Sequence, residues 1–314
     1  MGEVEKTDTE IVKVLILGSG PAGLSAAIYA ARADLEPLVL TGLELGGQVS
    51  LTDTIENYPG FPEGVGGNEL GDLFRKQAER FGARIEFDMA TKLDLSTNPF
   101  HIQTDNKELT AKTIIIATGA TPIRLNIAGE NELIGKGVSY CATCDGWFFK
   151  GKKVVVIGGG DSALEEALFL TRFANTVNIV HRRDSLRASA ILQRRVKENQ
   201  KINLILNSVI LQINGKEKVE SVVIKNLETK EEKNFEVDGV FIFIGHSPNT
   251  ELFKGQVEMN DHGYIKTDQL MKTSIEGVFV AGEAADPNFK QIVTSAGMGA
   301  TAAIQATRFL ESRS

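Results

Sequence analysis

The chain has 314 residues, a formal net charge of -7, and 42% hydrophobic and 24% charged residues, an ordinary globular composition that excludes disordered and fibrous classes. Its length suggests about two domains of roughly 100 to 200 residues each, and its negative balance argues against a nucleic-acid surface, which needs clustered Lys and Arg. Apolar runs such as TIIIAT fall far short of the roughly 20 residues that cross a bilayer, and the opening MGEVEKTDTE has no apolar signal core. No membrane partner is expected, and the expected location is cytoplasmic.

Residues 13–42 read KVLILGSGPAGLSAAIYAARADLEPLVLTG. The branched apolar run Val14 to Leu17 reads as a strand buried on both faces. The turn Gly18-Ser19-Gly20-Pro21-Ala22-Gly23 follows, then Leu24, Ala27, Ile28 and Ala31 at helical spacing, then a second apolar strand at 38–40. In such a G-x-G-x-x-G turn the first glycine makes the tight bend, the second lets a pyrophosphate approach the backbone, and the third lets helix and strand pack closely. Gly18, Gly20 and Gly23 are therefore candidate dinucleotide ligands. The glycine-rich GLELGGQ at 42–48 offers more backbone donors and no arginine for a 2'-phosphate. Further on, TIIIATGA at 113–120 reads as a buried strand ending in a small-residue turn that a cofactor could approach.

Both cysteines of the chain, Cys141 and Cys144, stand in YCATCDGWFF, with Asp145 directly after the second. In a reducing compartment a close pair is more often catalytic, redox-sensing or metal-binding than a structural staple. Structural zinc wants four ligands, and beside two cysteines the chain offers only the scattered His101, His181, His246 and His262, which disfavours a metal site. Asp145 precedes a glycine, a position where aspartate is also a common turn residue.

Residues 153–182, KVVVIGGGDSALEEALFLTRFANTVNIVHR, align with the first segment without a gap. Strand, glycine turn, helix and strand are written again, with Gly158, Gly160 and Ala163 in the three structural places and Leu164, Ala167, Leu168 and Thr171 along the helix. The second strand ends in HRRDSLR, where Arg182, Arg183 and Arg187 can clamp a dianionic 2'-phosphate with forked hydrogen bonds, so this copy reads NADP. His181 reads as a stacking or spacing residue. A nicotinamide needs a partner for its hydride, which makes FAD the natural ligand of the first copy. Toward the C-terminus VFVAGEAAD at 278–286 reads as a strand running into a turn whose Glu283 could hold ribityl hydroxyls. An Ala-rich helix is expected from Ser295, its N-terminus able to stabilise an anionic flavin ring.

The ordered set GSGPAG, GGQ, ENYPG, ATGA, CATCDG, GGGDSA, HRRDSLR, GHSPNT and QIVTSAG resembles the low-molecular-weight bacterial thioredoxin reductase family over nearly the whole chain. The resemblance implies an α/β fold with two Rossmann-like nucleotide-binding domains. A discontinuous FAD domain (1–120 and 249–314) would carry an inserted NADPH domain (121–248) that bears the C-x-x-C pair. It further implies a homodimer, a Cys141–Cys144 redox disulfide, and thioredoxin or a thioredoxin-like protein as substrate. By the same likeness Cys144 faces the flavin, Cys141 attacks the substrate, and Asp145 moves the proton. Gly47, Gln48, Asn57, Glu283 and Gln291 would surround FAD, and Trp147 and Phe148 would be docking or interface residues.

Two positions depart from the family pattern: Glu283 stands where Asp is usual, and Lys290 where Arg is frequent. A ferredoxin-NADP reductase of related fold would need no cysteine pair, and a non-catalytic flavoprotein or redox sensor is the weaker rival. A flavin-dependent disulfide reductase with another reductant or partner is the nearer alternative.

Overall fold

Val14 and Ile16 face one side of a sheet, and Val12, Leu15 and Leu17 the other, all of them buried. This is why the strand reads as an unbroken apolar run rather than an alternating one. The structure, a computed structural model, describes residues 10–42, 45–52 and 54–313; the first nine residues and Leu43-Glu44 of the glycine-rich stretch lie outside them. Among the described residues there are six α-helices: α1 (Pro21–Arg32), α2 (Gly67–Arg80), α3 (Ala142–Asp145), α4 (Asp161–Leu170), α5 (Ala190–Glu198) and α6 (Ile292–Glu311). None is long and apolar enough to cross a membrane.

The chain divides into two compact units, Met1–Thr121 with Ser247–Ser314, and Pro122–His246. In the first, the strands Arg84–Glu86, Leu38–Leu40, Glu10–Leu17 and Glu108–Ile116 run parallel in that order. Phe100–Thr104 and Ala90–Asp94 extend the sheet antiparallel, and Val278–Val280 pairs parallel with the end of Glu108–Ile116. Helices α1 and α6 cover one face with small residues, Ala22, Ala26, Ala30, Ala302, Ala303 and Ala306. They approach so closely that a β-carbon on Gly299 would lie 2.0 Å from the Ala22 carbonyl oxygen. The other face packs on Leu93, Phe100, Phe253 and Val257.

The second unit has a five-stranded parallel sheet in the order Val138–Ser139, Gly239–Ile242, Lys153–Ile157, Thr176–Val180, Ile202–Ile205. Val154 and Val156 pack under α4 and α5, while Val155 and Ile157 face an antiparallel sheet of Ser208–Asn214, Ser221–Asn226 and Glu232–Glu236. Two expectations shift in detail. Helix α4 ends at Leu170 with Thr171 as its cap, so the polar member of the apolar series falls off the helix end. Helix α6 begins at Ile292, ahead of Ser295, because tertiary packing overrides the modest helix propensity of the β-branched Ile292-Val293-Thr294.

Candidate active site

In the first unit the glycine turn divides its labour among its members. Gly18 has φ +108 and is closed in, since a β-carbon would sit 2.3 Å from the Ala117 carbonyl oxygen; one on Gly23 would sit 1.9 Å from the oxygen of Gly18. Gly20 differs: its nearest neighbour would be the Gly46 oxygen at 3.9 Å, which leaves open space where a pyrophosphate approaches. The turn of Gly46 and Gly47 lies against it, with a Gly47 β-carbon 3.4 Å from the Gly20 α-carbon, and Gln48 is exposed beside it. From the far end of the chain, Gly282 packs on Ala22 and Ser295, so that Glu283 leaves the strand Val278–Val280 beside the starts of α1 and α6.

Gln291 caps α6, and Asn57 Nδ2 donates to its Oε1 at 3.3 Å. The structure thus gathers Gly18, Gly20, Gly23, Gly47, Glu283 and Gln291 about one end of the parallel sheet, with Asn57 tied to Gln291. Burial raises the Glu283 carboxyl to about 7, with Lys290 opposing the shift and Asp286 adding to it. Asp286, which the sequence reading passed over, accepts the backbone N–H groups of Asn288, Phe289 and Lys290 at 2.8, 3.0 and 3.3 Å, so it shapes the loop leading to Gln291.

In the second unit the same plan recurs. A β-carbon on Gly158 would meet Ala163 Cβ and the Phe243 oxygen at 2.5 Å, whereas Gly160 has nothing within 4 Å and stays open. The middle glycine is closed from below, because a β-carbon on Gly159 would lie 2.4 Å from the His181 ring. His181 is therefore a spacer beneath the turn. Burial lowers its pKa, helped by Arg187, Arg183 and Arg182, which disfavours the charged ring. The Gly159 carbonyl accepts the N–H groups of Arg187 and Ala188 at 2.7 and 3.1 Å, and Asp161 Oδ1 accepts that of Ser189 at 2.9 Å. These bonds fold HRRDSLR back over the glycine turn. Arg182, Arg183 and Arg187 are all exposed there, and none is in an ion pair among the described residues.

Cys141 and Cys144 form a disulfide with a Cα–Cα distance of 5.3 Å, Cys141 preceding the single turn α3. Cys141 Sγ accepts the Cys144 N–H at 3.2 Å and lies 3.4 Å from Thr143 Oγ1. Both contacts would stabilise negative charge on that sulfur. Ser139, unremarked in the sequence, accepts the Cys141 N–H at 3.0 Å and is also a hydrogen-bond partner of the Asp145 carboxyl. Burial pushes the Asp145 pKa up, the Ser139 bond opposing it in part. Trp147 and Phe148 are 53% and 41% exposed, so large apolar surface lies in water next to the pair. A groove of about 350 Å³ lined by Thr143, Glu165, Phe169 and Arg195 opens beside them.

Two glycine turns, one followed by an arginine cluster, and a reducible cysteine pair are the parts of an enzyme that moves electrons from a pyridine nucleotide to a disulfide. The family model for pyridine nucleotide-disulphide oxidoreductases matches residues 12–299, and the chain belongs to that family. Among its relatives, thioredoxin reductase of Rickettsia conorii is 52% identical over 95% of this chain and 98% of that protein. The thioredoxin reductase of Mycolicibacterium smegmatis is 47% identical over 97% and 98%. Among solved structures, thioredoxin reductase from Streptococcus pyogenes superposes with a TM-score of 0.93 at 41% identity, covering 97% of this chain and 99% of that one. That from Giardia duodenalis gives 0.91 at 41%, covering 96% and 100%.

Proposed function

We propose that this chain is an NADPH-dependent flavoenzyme that reduces the disulfide of thioredoxin. The observation that carries the reading is the Cys141–Cys144 disulfide, in the same unit as a glycine turn bordered by three exposed arginines. Residues 1–120 and 249–314 form the FAD domain and 121–248 the NADPH domain. FAD is held by Gly18, Gly20, Gly23, Gly47, Gln48, Asn57, Glu283 and Gln291; the open backbone at Gly20 fits its pyrophosphate. NADPH is held by Gly158, Gly160 and Ala163, with Arg182, Arg183 and Arg187 at its 2'-phosphate.

The flavin supplies two-electron chemistry between nicotinamide and disulfide. The chain's own residues do the rest. Once the pair is reduced, the Cys141 thiolate attacks a sulfur of the thioredoxin disulfide; that S–S bond breaks and one thioredoxin thiolate departs. Asp145, whose pKa burial raises, gives it a proton. The Cys144 thiolate then attacks Cys141 Sγ, which restores the internal disulfide and releases the second thioredoxin sulfur as a thiolate. Trp147 and Phe148 offer the apolar docking surface. The enzyme works as a homodimer in the cytoplasm; apolar residues left in water on α1 and α6, Tyr29, Val293 and Ile304, support the dimer.

Stopped-flow reduction of the yellow protein by NADPH and by NADH, followed by addition of thioredoxin, tests the reading. Fast reduction by NADPH and reoxidation by thioredoxin are expected; an NADPH-reduced enzyme that thioredoxin leaves reduced overturns it.

A further inference from the structure

Glu130 is a carboxylate at 1% exposure, and no salt bridge among the described residues involves it. A charge so deeply placed must be met by hydrogen bonds. Its Oε2 accepts the Asn126 N–H at 2.7 Å and a longer bond from Ile127 at 3.5 Å; Oε1 accepts the Leu125 N–H at 3.0 Å and the Tyr140 hydroxyl at 2.7 Å. Burial of Tyr140 and its bond to Glu130 both raise the pKa of that hydroxyl, so it stays a donor throughout the physiological range. The loop amides alone would occupy most of the carboxylate. The remaining bond goes to the residue immediately before the attacking cysteine.

The arrangement constrains Cys141 from two sides. Ser139 Oγ accepts its N–H at 3.0 Å, and Glu130 holds the ring tip of Tyr140, whose body packs against the apolar cluster of Val138, Val240 and Ile242. Three successive residues, Ser139, Tyr140 and Cys141, are thereby fixed in place. From that backbone Cys141 Sγ meets the Cys144 N–H at 3.2 Å and Thr143 Oγ1 at 3.4 Å. We propose that Glu130 and Tyr140 are a positioning pair that holds Cys141 so that these two donors stabilise its thiolate for thiol exchange. The inference rests on the reading of Cys141 as the attacking thiol.

Tyr140→Phe keeps the ring and its packing and deletes only the hydroxyl; Glu130→Gln keeps an acceptor for that hydroxyl while giving up the charge. In Tyr140→Phe, kcat/KM for thioredoxin should fall about tenfold, while NADPH-driven reduction of ferricyanide stays at the wild-type value. The pH profile of iodoacetamide alkylation of the reduced enzyme should move to higher pH, because the thiolate has lost well-aligned donors. Glu130→Gln should fall between wild type and Tyr140→Phe on both measures. Unchanged thioredoxin turnover with an unmoved alkylation profile overturns the proposal, as does an equal loss of ferricyanide reduction, which would mark a general structural role. If Cys141→Ser still reduces thioredoxin, the assignment of the attacking thiol fails and the positioning role falls with it.

Discussion

Asn57 and Gln291, far apart in the chain, meet through a hydrogen bond from Asn57 Nδ2 to Gln291 Oε1 at 3.3 Å, and Gln291 Nε2 donates in turn to the carbonyls of Phe289 and Lys290 at 3.2 Å. The bond ties the loop after Thr54–Ile55 to the start of α6. Asn57→Ala should weaken FAD binding by about 1 kcal/mol, or roughly fivefold in Kd. Flavin fluorescence during titration of the apoprotein measures it.

Gly20 and Gly23 make opposite forecasts. A methyl group at Gly20 enters open space, so Gly20→Ala should leave the melting temperature of the apoprotein within a few degrees of wild type while FAD affinity drops at least tenfold through the blocked pyrophosphate. Gly23→Ala drives a methyl into the Gly18 carbonyl and should destabilise the apoprotein itself, by about 1 to 3 kcal/mol. Denaturant unfolding of both apoproteins separates the two.

The arginines should act on one coenzyme only. Replacing Arg182, Arg183 and Arg187 together by Ala is expected to cut kcat/KM for NADPH by about 100-fold or more, since each charged bond contributes about 1.5 to 3 kcal/mol. NADH, which lacks the 2'-phosphate, should change little. Steady-state rates with the two coenzymes give the ratio.

Glu283 predicts a pH signature. Its folded pKa is raised to about 7, above the ordinary carboxyl value, so the protonated form is favoured on folding. Its contribution to stability is fully present below the unfolded pKa and fades as pH rises through about 7. The apoprotein melting temperature should therefore decline between about pH 5 and pH 8 more steeply in wild type than in Glu283→Gln. Parallel slopes in thermal melts would refute the assignment.

Removing either sulfur should separate the half-reactions. Cys141→Ser and Cys144→Ser are each expected to lower thioredoxin reduction by at least about 1000-fold. Reduction of the bound flavin by NADPH should persist at a near wild-type rate. An insulin-precipitation assay coupled to thioredoxin reads the first, flavin bleaching the second.

The repeated strand, turn and helix were legible because strands such as Lys153–Ile157 bury residues 154–157 on both faces, and the first glycine of each turn, Gly18 or Gly158, occupies a space where a larger residue would collide. The cysteine pair stood out by its close spacing, and its role as a redox disulfide was implied by the family resemblance. The antiparallel sheet of the second unit was not, for its outer strand EKNFE at Glu232–Glu236 is mostly exposed and carries no apolar alternation. Nor were Glu130 and Asp286. Each serves amides of its own loop, a few residues away in irregular backbone, and a carboxylate in such a role has no periodic signature in the chain. Ser139 was hidden for the same reason, its work being done by one hydroxyl on a neighbouring backbone group.

The unit that begins the chain is completed by the strand Val278–Val280 and by α6, whereas the other unit is contiguous from Pro122 to His246. On the ribosome, the inserted unit has all of its sequence available first, while the earlier half must wait with an uncovered sheet face until the final segment emerges. Nascent chains arrested before residue 278 should consequently expose sticky surface and recruit chaperones in the N-terminal half, even as the inserted unit has already become protease-resistant.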